Sequence, residues 1–218
     1  RVVKDSELLL IDVSAPFFEE SLLPLGRLRE PVWCARRADA VILTRADQVD
    51  SETMVRMKER ISVLVPGTPV FQAALVVTDV LRLPDLESRR REVFHGQKIC
   101  CFMAVGAPVS FVKTVRGMGV ADVIPLPFPD HHRYRLADLE RVAAVARENG
   151  CSAVAMTEKD FSSASALLKR FVVSGAVDDS QDKSLPWYVV RVTMRIKPEE
   201  QFSKFIRSAA RDHRPRNL

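Results

Sequence analysis

Short, nearly continuous apolar runs alternate along the chain with stretches whose apolar residues recur every three or four positions. Glu7 to Val13 (ELLLIDV) is interrupted only by Asp12, the pattern of a strand buried on both faces of a parallel sheet. Ser14 to Pro31 then carries Pro16, Pro24, Gly26 and Pro31, which disfavour regular structure and predict a long connection of the kind that often carries function. Ala40 to Thr44 (AVILT) reads as a second buried strand, and Ser51 to Glu59 as a short helix with Ser51 at its N-cap. Strand, loop, strand, helix is an α/β rhythm.

From Ile61 to Leu86 the runs are β-branched (ISVLV, PVFQAALVV) and broken by Pro66, Gly67 and Pro84, which predicts antiparallel strands forming a linker between two lobes. After a charged turn at Glu87 to Glu92, Lys98 to Val105 (KICCFMAV) is a buried strand. Pro108 opens a helix with Phe111, Val112 and Val115 on its apolar face, stopped by Gly117 and Gly119. The βα unit recurs as strand Asp122 to Leu126 with helix Leu136 to Glu148, and strand Ala153 to Met156 with helix Phe161 to Phe171. A last strand is expected at Trp187 to Val192. Beyond Pro198, Phe202, Phe205, Ile206 and Ala209 keep helical spacing before a basic tail expected to fray. Ligands of parallel α/β sheets sit at the carboxyl ends of strands, so the loops after Val105, Leu126 and Met156 are the places to look.

Composition narrows this little. The 218 residues are 47% hydrophobic, enough to bury a real core, and 33 Lys and Arg against 28 Asp and Glu leave a net charge of +5. That mild excess favours anionic partners, phosphates or acidic lipid surfaces, and selects none of them. The four cysteines, Cys34, Cys100, Cys101 and Cys151, lack metal-binding spacing, and adjacent Cys100 and Cys101 should point to opposite faces of their strand as reduced core thiols. No apolar run approaches the roughly 20 residues of a membrane-spanning helix, so a membrane would be met at its surface. The chain opens on Arg1, with a short polar lead before a fully apolar strand, and is expected to begin inside a longer protein, leaving Leu8 to Ile11 as an apolar sheet edge.

Three segments could carry chemistry. Leu126 to Tyr134 (LPFPDHHRY) leaves a strand end and gathers a carboxylate, two imidazoles and a guanidinium in Asp130, His131, His132 and Arg133. A His beside an acid can be raised in basicity, relay a proton or orient another acid; alternatively Asp130 caps a turn and both histidines lie on the surface. A metal site is disfavoured, because three successive residues seldom converge on one ion. Leu22 to Pro31 (LLPLGRLREP) places Arg27, Arg29 and Glu30 in the proline-rich loop, where guanidinium forks suit phosphates or carboxylates, or Arg29 and Glu30 merely pair with each other. Met156 to Asp160 (MTEKD) is a third charged turn, in which Thr157 or Asp160 is placed to cap the next helix. The phosphate-binding pattern GxxxxGK[ST] is absent. Lys113-Thr114 and Lys183-Ser184 follow no glycine loop, so no nucleotide-binding residue is assigned in this chain.

In order and spacing, LLPLGRLREP, RADAVILT (Arg37 to Thr44), LPFPDHHRYRLADL (Leu126 to Leu139) and MTEKD resemble the lipid A 4′-kinase (tetraacyldisaccharide 4′-kinase) family. FMAVGAPVSF (Phe102 to Phe111) is similar to the family's AGIGxPxxF segment. The resemblance implies an incomplete P-loop NTPase-like parallel sheet plus a smaller C-terminal α/β lobe joined by a β-ribbon hinge, with boundaries at 1–60, 61–95 and 96–218. It implies transfer of the γ-phosphate of ATP to the 4′-hydroxyl of a tetraacylated glucosamine disaccharide 1-phosphate at the cytoplasmic face of the bacterial inner membrane. No nucleic acid is implied.

In that family ATP and Mg²⁺ are held mainly by a segment upstream of the region matched, which also carries a catalytic Asp. His131 is the residue implied to pair with that Asp, Asp130 its catalytic neighbour, and Arg29, Glu30 and Arg27 the substrate-binding candidates. The chain by itself is then expected to be inactive, and no metal ligand is assigned within it. The sequence departs from the family where Phe17 to Ser21 (FFEES) replaces a Gly-Asn-Gly type loop, and where FSSAS (Phe161 to Ser165) lacks a basic residue. Two rival readings remain, a non-catalytic lipid- or phosphosugar-binding relative and a DHH-type metal phosphoesterase.

Overall fold

A computed structural model of the chain describes residues 6–15, 17, 18, 20–175 and 185–211. The first five residues of the polar lead, Pro16, Glu19, Lys183-Ser184 and the basic tail beyond Arg211 lie outside them. The described residues form two compact units. One comprises the chain up to Leu75 together with Met194 onward, the other Val76–Thr193. The expected lobe boundaries of 60 and 96 do not coincide with this division, and the chain passes between the units inside two strands.

In the first unit, β1 (Leu8–Asp12), β2 (Ala40–Thr44) and the start of β3 (Val70–Arg82) run parallel, with Leu10 opposite Ile42 and Ile42 opposite Phe71. AVILT is continuously apolar because β2 is covered on both faces. Val41 and Leu43 pack with Met54, Met57 and Ile61 of helix α1 (Ser51–Leu64), while Ala40 and Ile42 pack with Phe71 against Phe202 and Phe205 of helix α5 (Glu199–Arg211). The Phe71 and Phe202 rings meet edge to face, 5.0 Å between centroids. Among the described residues β1 has a strand on one side only, and its Leu10 is exposed.

Four expectations in this region need correction. The N-cap of α1 is Asp50, whose carboxylate accepts a 2.7 Å hydrogen bond from the Thr53 N–H; Ser51 is the first helical residue. The helix continues through Leu64, five residues past Glu59, because Ile61 extends the Met54–Met57 stripe into the core, and burial there outweighs the β preference of ISVLV. After α1 comes one long strand, β3, parallel to β2 at its start. At its far end Val80 to Arg82 pair antiparallel with β4 (Glu87–Arg89), a strand formed by the stretch expected to be a charged turn.

The second unit is built on β5 (Lys98–Met103), β6 (Asp122–Pro127), β7 (Ala153–Thr157) and β8 (Trp187–Lys197), parallel in the order β8-β7-β5-β6, with the later half of β3 beside β8. Helix α2 (Pro108–Arg116) covers one face; α3 (Leu136–Glu148) and α4 (Glu158–Gly175) cover the other. Cys100 packs on the α3 side and Cys101 on the α2 side, as alternation requires, and burial pushes the Cys100 thiol up to about 12. Pro125 and Pro127 sit in β6 without cost because it is an edge strand. Helix α4 starts at Glu158 rather than Phe161, and β8 runs past Val192 to Lys197.

Candidate functional site

The carboxyl ends of β5, β6 and β7 lie side by side, as the parallel register demands, and the polar loops meet there. After β6, the Phe128 N–H donates to the Met103 carbonyl (2.8 Å) and anchors the Asp130–Tyr134 loop to β5. Thr157 caps α4, accepting the Asp160 N–H at 3.1 Å, which places Asp160 on the inward side of the first helical turn. Among the described residues Asp160 is the only polar side chain that is fully buried. Its Oδ1 accepts from the Ala104 N–H and the Tyr134 hydroxyl, each at 2.9 Å, and its Oδ2 accepts from the Thr157 hydroxyl. One carboxylate thus ties together the loops after β5, β6 and β7. Burial and then the charge of Asp160 push the Tyr134 phenol far up, so it remains a donor.

On this strut the DHH residues diverge. Asp130 accepts from the Lys159 ammonium and the His131 N–H, both at 3.0 Å, and the Lys159 hydrogen bond holds its carboxyl below the usual range. His131 has a left-handed backbone (φ 60°), its side chain is 81% exposed, and its Nε2 lies 3.7 Å from Asp130 Oδ2. His132 turns inward instead. It stacks on Phe128 at 4.9 Å and bonds Asp138 through Nε2 at 3.0 Å. Asp138 in turn accepts the Arg135 N–H at 2.8 Å at the start of α3. Partial burial raises the Asp138 carboxyl, and the His132 and Arg135 hydrogen bonds outweigh that and leave it lowered.

Asp130 and His131 thus stay together at the surface while His132 turns away to Asp138, a poor geometry for one metal ion held by all three. A cavity of about 500 Å³ opens here, lined by His131, Arg133, Tyr134, Lys159 and Ser163 among others. Its exposed cations, Arg133 and Lys159, suit an anion, and the exposed imidazole of His131 borders the same space. MTEKD is one of the three polar segments singled out from the sequence and caps α4 as expected there, but neither the Lys159 contact with Asp130 nor the burial of Asp160 follows from the sequence. The available signal was Thr157-x-x-Asp160 directly after a buried strand, a capping pattern whose acid is free to turn inward.

Arg27, Arg29 and Glu30 belong to the other unit. Arg29 and Glu30 do not pair with each other. Glu30 is engaged by Arg37 (2.5 Å), which also binds Glu7 (2.6 Å), and Arg27 is engaged by Glu20. Arg29 is exposed, has no ion-pair partner among the described residues, and stands on the rim of an apolar hollow of about 410 Å³ floored by Leu9, Ile11 and Phe17. At the end of β1, Asp12 is occupied by Arg45 and Ser14.

Comparison with known proteins places this architecture. The family described as tetraacyldisaccharide-1-P 4'-kinase (LpxK) matches residues 1–211. The chain is 31% identical to the tetraacyldisaccharide 4'-kinase of Syntrophus aciditrophicus over 97% of its own length and 55% of the relative's. It is 29% identical to that of Desulfatibacillum aliphaticivorans over 94% and 52%, and 33% identical to that of Gluconobacter oxydans over 72% and 42%. It therefore spans about half the length of the curated relatives it matches. Its fold is similar to a crystal structure of LpxK from Aquifex aeolicus in complex with ATP, with a TM-score of 0.53 and 20% identity, covering 95% of this chain and 53% of that one. The mostly parallel α/β sheet expected from the sequence is thus the fold observed. On the family match and the relatives' identities together, the chain belongs to the tetraacyldisaccharide-1-P 4'-kinase family.

Proposed function

We propose that this chain is the acceptor-side part of an enzyme that transfers the γ-phosphate of ATP to the 4′-hydroxyl of a tetraacylated glucosamine disaccharide 1-phosphate, working at the cytoplasmic face of the bacterial inner membrane. The observation that carries the reading is the split between the two histidines. His132 is spent on Asp138 and Phe128, while His131 stands exposed at the end of β6 beside a fixed carboxylate. Phosphoryl transfer asks the protein for positioning and charge stabilisation rather than covalent chemistry. His131 is suited to bond a carboxylate supplied elsewhere in the protein and to share the proton that the acceptor hydroxyl gives up. Asp130, clamped by Lys159, orients His131 and keeps negative charge beside it. Arg29 is the substrate-side cation, with no ion-pair partner to release among the described residues; Arg27 and Glu30 hold its loop through Glu20 and Arg37.

ATP and Mg²⁺ do not fit the residues of this chain taken alone. It contains no glycine loop ending in Lys-Ser or Lys-Thr, and no three His, Cys, Asp or Glu residues gather among the described ones. We assign both to the part of the relatives that this chain does not span, so the chain by itself is inactive on this reading. The stretch 61–95 is the proposed β-ribbon hinge between lobes 1–60 and 96–218; the chain passes from the first compact unit to the second inside this stretch, and returns to the first unit from Met194 onward. Among the described residues no helix is long and apolar enough to cross a membrane; the proposed membrane contact is peripheral, or made through an anchor in the part upstream of the region matched.

In the full-length protein, His131→Ala should lower turnover by about 10²–10⁴-fold. His132→Ala should leave turnover within a few-fold and cost about 1 kcal/mol of stability. Equal loss from both, or none from His131, refutes the assignment. Arg29→Gln should chiefly raise the Michaelis constant for the phosphorylated disaccharide.

A further inference from the structure

Several of the exposed large apolar side chains fall in one short stretch. Leu22 (44%), Leu23 (59%), Leu25 (90%) and Trp33 (64%) all stand in solvent. The loop is built to hold them there. Its backbone closes on itself through Leu23 N–H to Leu28 O (2.8 Å), Leu28 N–H to Ser21 O (3.1 Å), and Leu25 and Gly26 N–H to Leu22 O (3.0 Å each). Closure requires a glycine, since a Cβ on Gly26 would sit 2.1 Å from the Ser21 carbonyl oxygen. With these backbone groups satisfied internally, the tip can leave water without orphaning them. Arg29 and Arg36 come after the leucines and have no carboxylate partner among the described residues.

We propose that the Leu22–Leu28 loop, flanked by Trp33, is the surface by which this protein inserts into the interfacial layer of a bilayer carrying anionic headgroups. A convex aliphatic tip, a Trp beside it and guanidinium groups at the rim are the chemistry of such an anchor. A protein partner would have to enclose a tip that projects outward. The inference rests on the reading of the acceptor as a membrane lipid. It adds a consequence to that reading: the loop leads directly into Arg29, so insertion sets this cation at headgroup level, where a lipid-borne phosphate lies.

The test uses the full-length protein with phosphatidylethanolamine–phosphatidylglycerol vesicles, some carrying brominated acyl chains. Trp33 is exposed whereas Trp187 is buried, so the part of the signal removed by Trp33→Phe isolates Trp33. Bromine should quench that part. Leu23→Ser with Leu25→Asp should weaken vesicle binding about tenfold or more, because two inserted side chains are lost. Arg36→Gln should weaken it about fivefold on these vesicles and leave binding to pure phosphatidylcholine unchanged. Phosphoryl transfer to substrate dispersed in detergent should be unaffected by all three changes. An unquenched Trp33, or full vesicle binding by the double variant, overturns the inference, as does a change in oligomeric state with vesicle binding intact. Activity in detergent without loop-dependent vesicle binding would refute the anchor alone. Loop-dependent binding without activity would refute only the proposed reaction.

Discussion

Removing the Asp160 carboxylate should loosen the candidate site from beneath. The side chain is 2% exposed and receives the Ala104 N–H, the Tyr134 hydroxyl and the Thr157 hydroxyl. In Asp160→Ala the first two donors lose their partner inside the core, at about 1–3 kcal/mol each, and the Thr157 bond is lost as well. The total is about 3–5 kcal/mol. Asp160→Asn keeps an oxygen for Ala104 and Tyr134, and the Thr157 hydroxyl can turn to accept from the new amide, so the loss should be about 1–2 kcal/mol. Tyr134→Phe should cost about 1 kcal/mol. Its effect should shrink when combined with Asp160→Ala, since the two share one bond. The assay is urea unfolding followed by Trp187 fluorescence, because Trp187 lies in the core packed under α3 and α4. Turnover of the full-length enzyme should fall with Asp160→Ala even where the protein remains folded, because the loops carrying His131 and Lys159 lose their common tether. An Asp160→Ala variant within 1 kcal/mol of the parent, with additive behaviour toward Tyr134→Phe, would falsify the strut.

Packing and charge lead to two more expected outcomes. The Asp138 carboxyl is lowered in the folded state, so its contribution is fully present above the ordinary carboxylate value of about 4 and is lost as pH falls through the lower folded value. Stability measured against pH should therefore show a shallower acid decline in Asp138→Asn than in the parent. Phe71→Ala removes the ring on which Phe202 and Phe205 rest and should cost about 3–5 kcal/mol, with α5 becoming the first site of limited proteolysis; α5 remaining as protected as in the parent would contradict the packing.

Much of the fold was legible because strand burial leaves a local trace. AVILT and KICCFM are continuously apolar since both faces of their strands are covered, and helix α3 falls at Leu136–Glu148 as its spacing predicts. Cys100 and Cys101 divide between faces by alternation alone. The same local logic misjudged ISVLV, where β-branched residues continue a helix. Ile61 there completes a stripe whose value depends on the sheet beneath it.

In the candidate site, residue spacing singled out Asp130, His131 and His132 but could not rank the two histidines. The tertiary fold ranks them. His132 meets Phe128 and Asp138, and His131, turned by a left-handed backbone, meets solvent. Adjacency offered Arg29 and Glu30 as a possible pair; Arg37 takes Glu30 and leaves Arg29 without an ion-pair partner among the described residues. The sequence alone thus determined which strands are buried, where the polar loops leave them, and the family to which those loops belong. Only the tertiary structure decided the partner of each polar group. Asp160 and Ala104 are 56 residues apart along the chain, and become neighbours only when β5 and β7 lie in register.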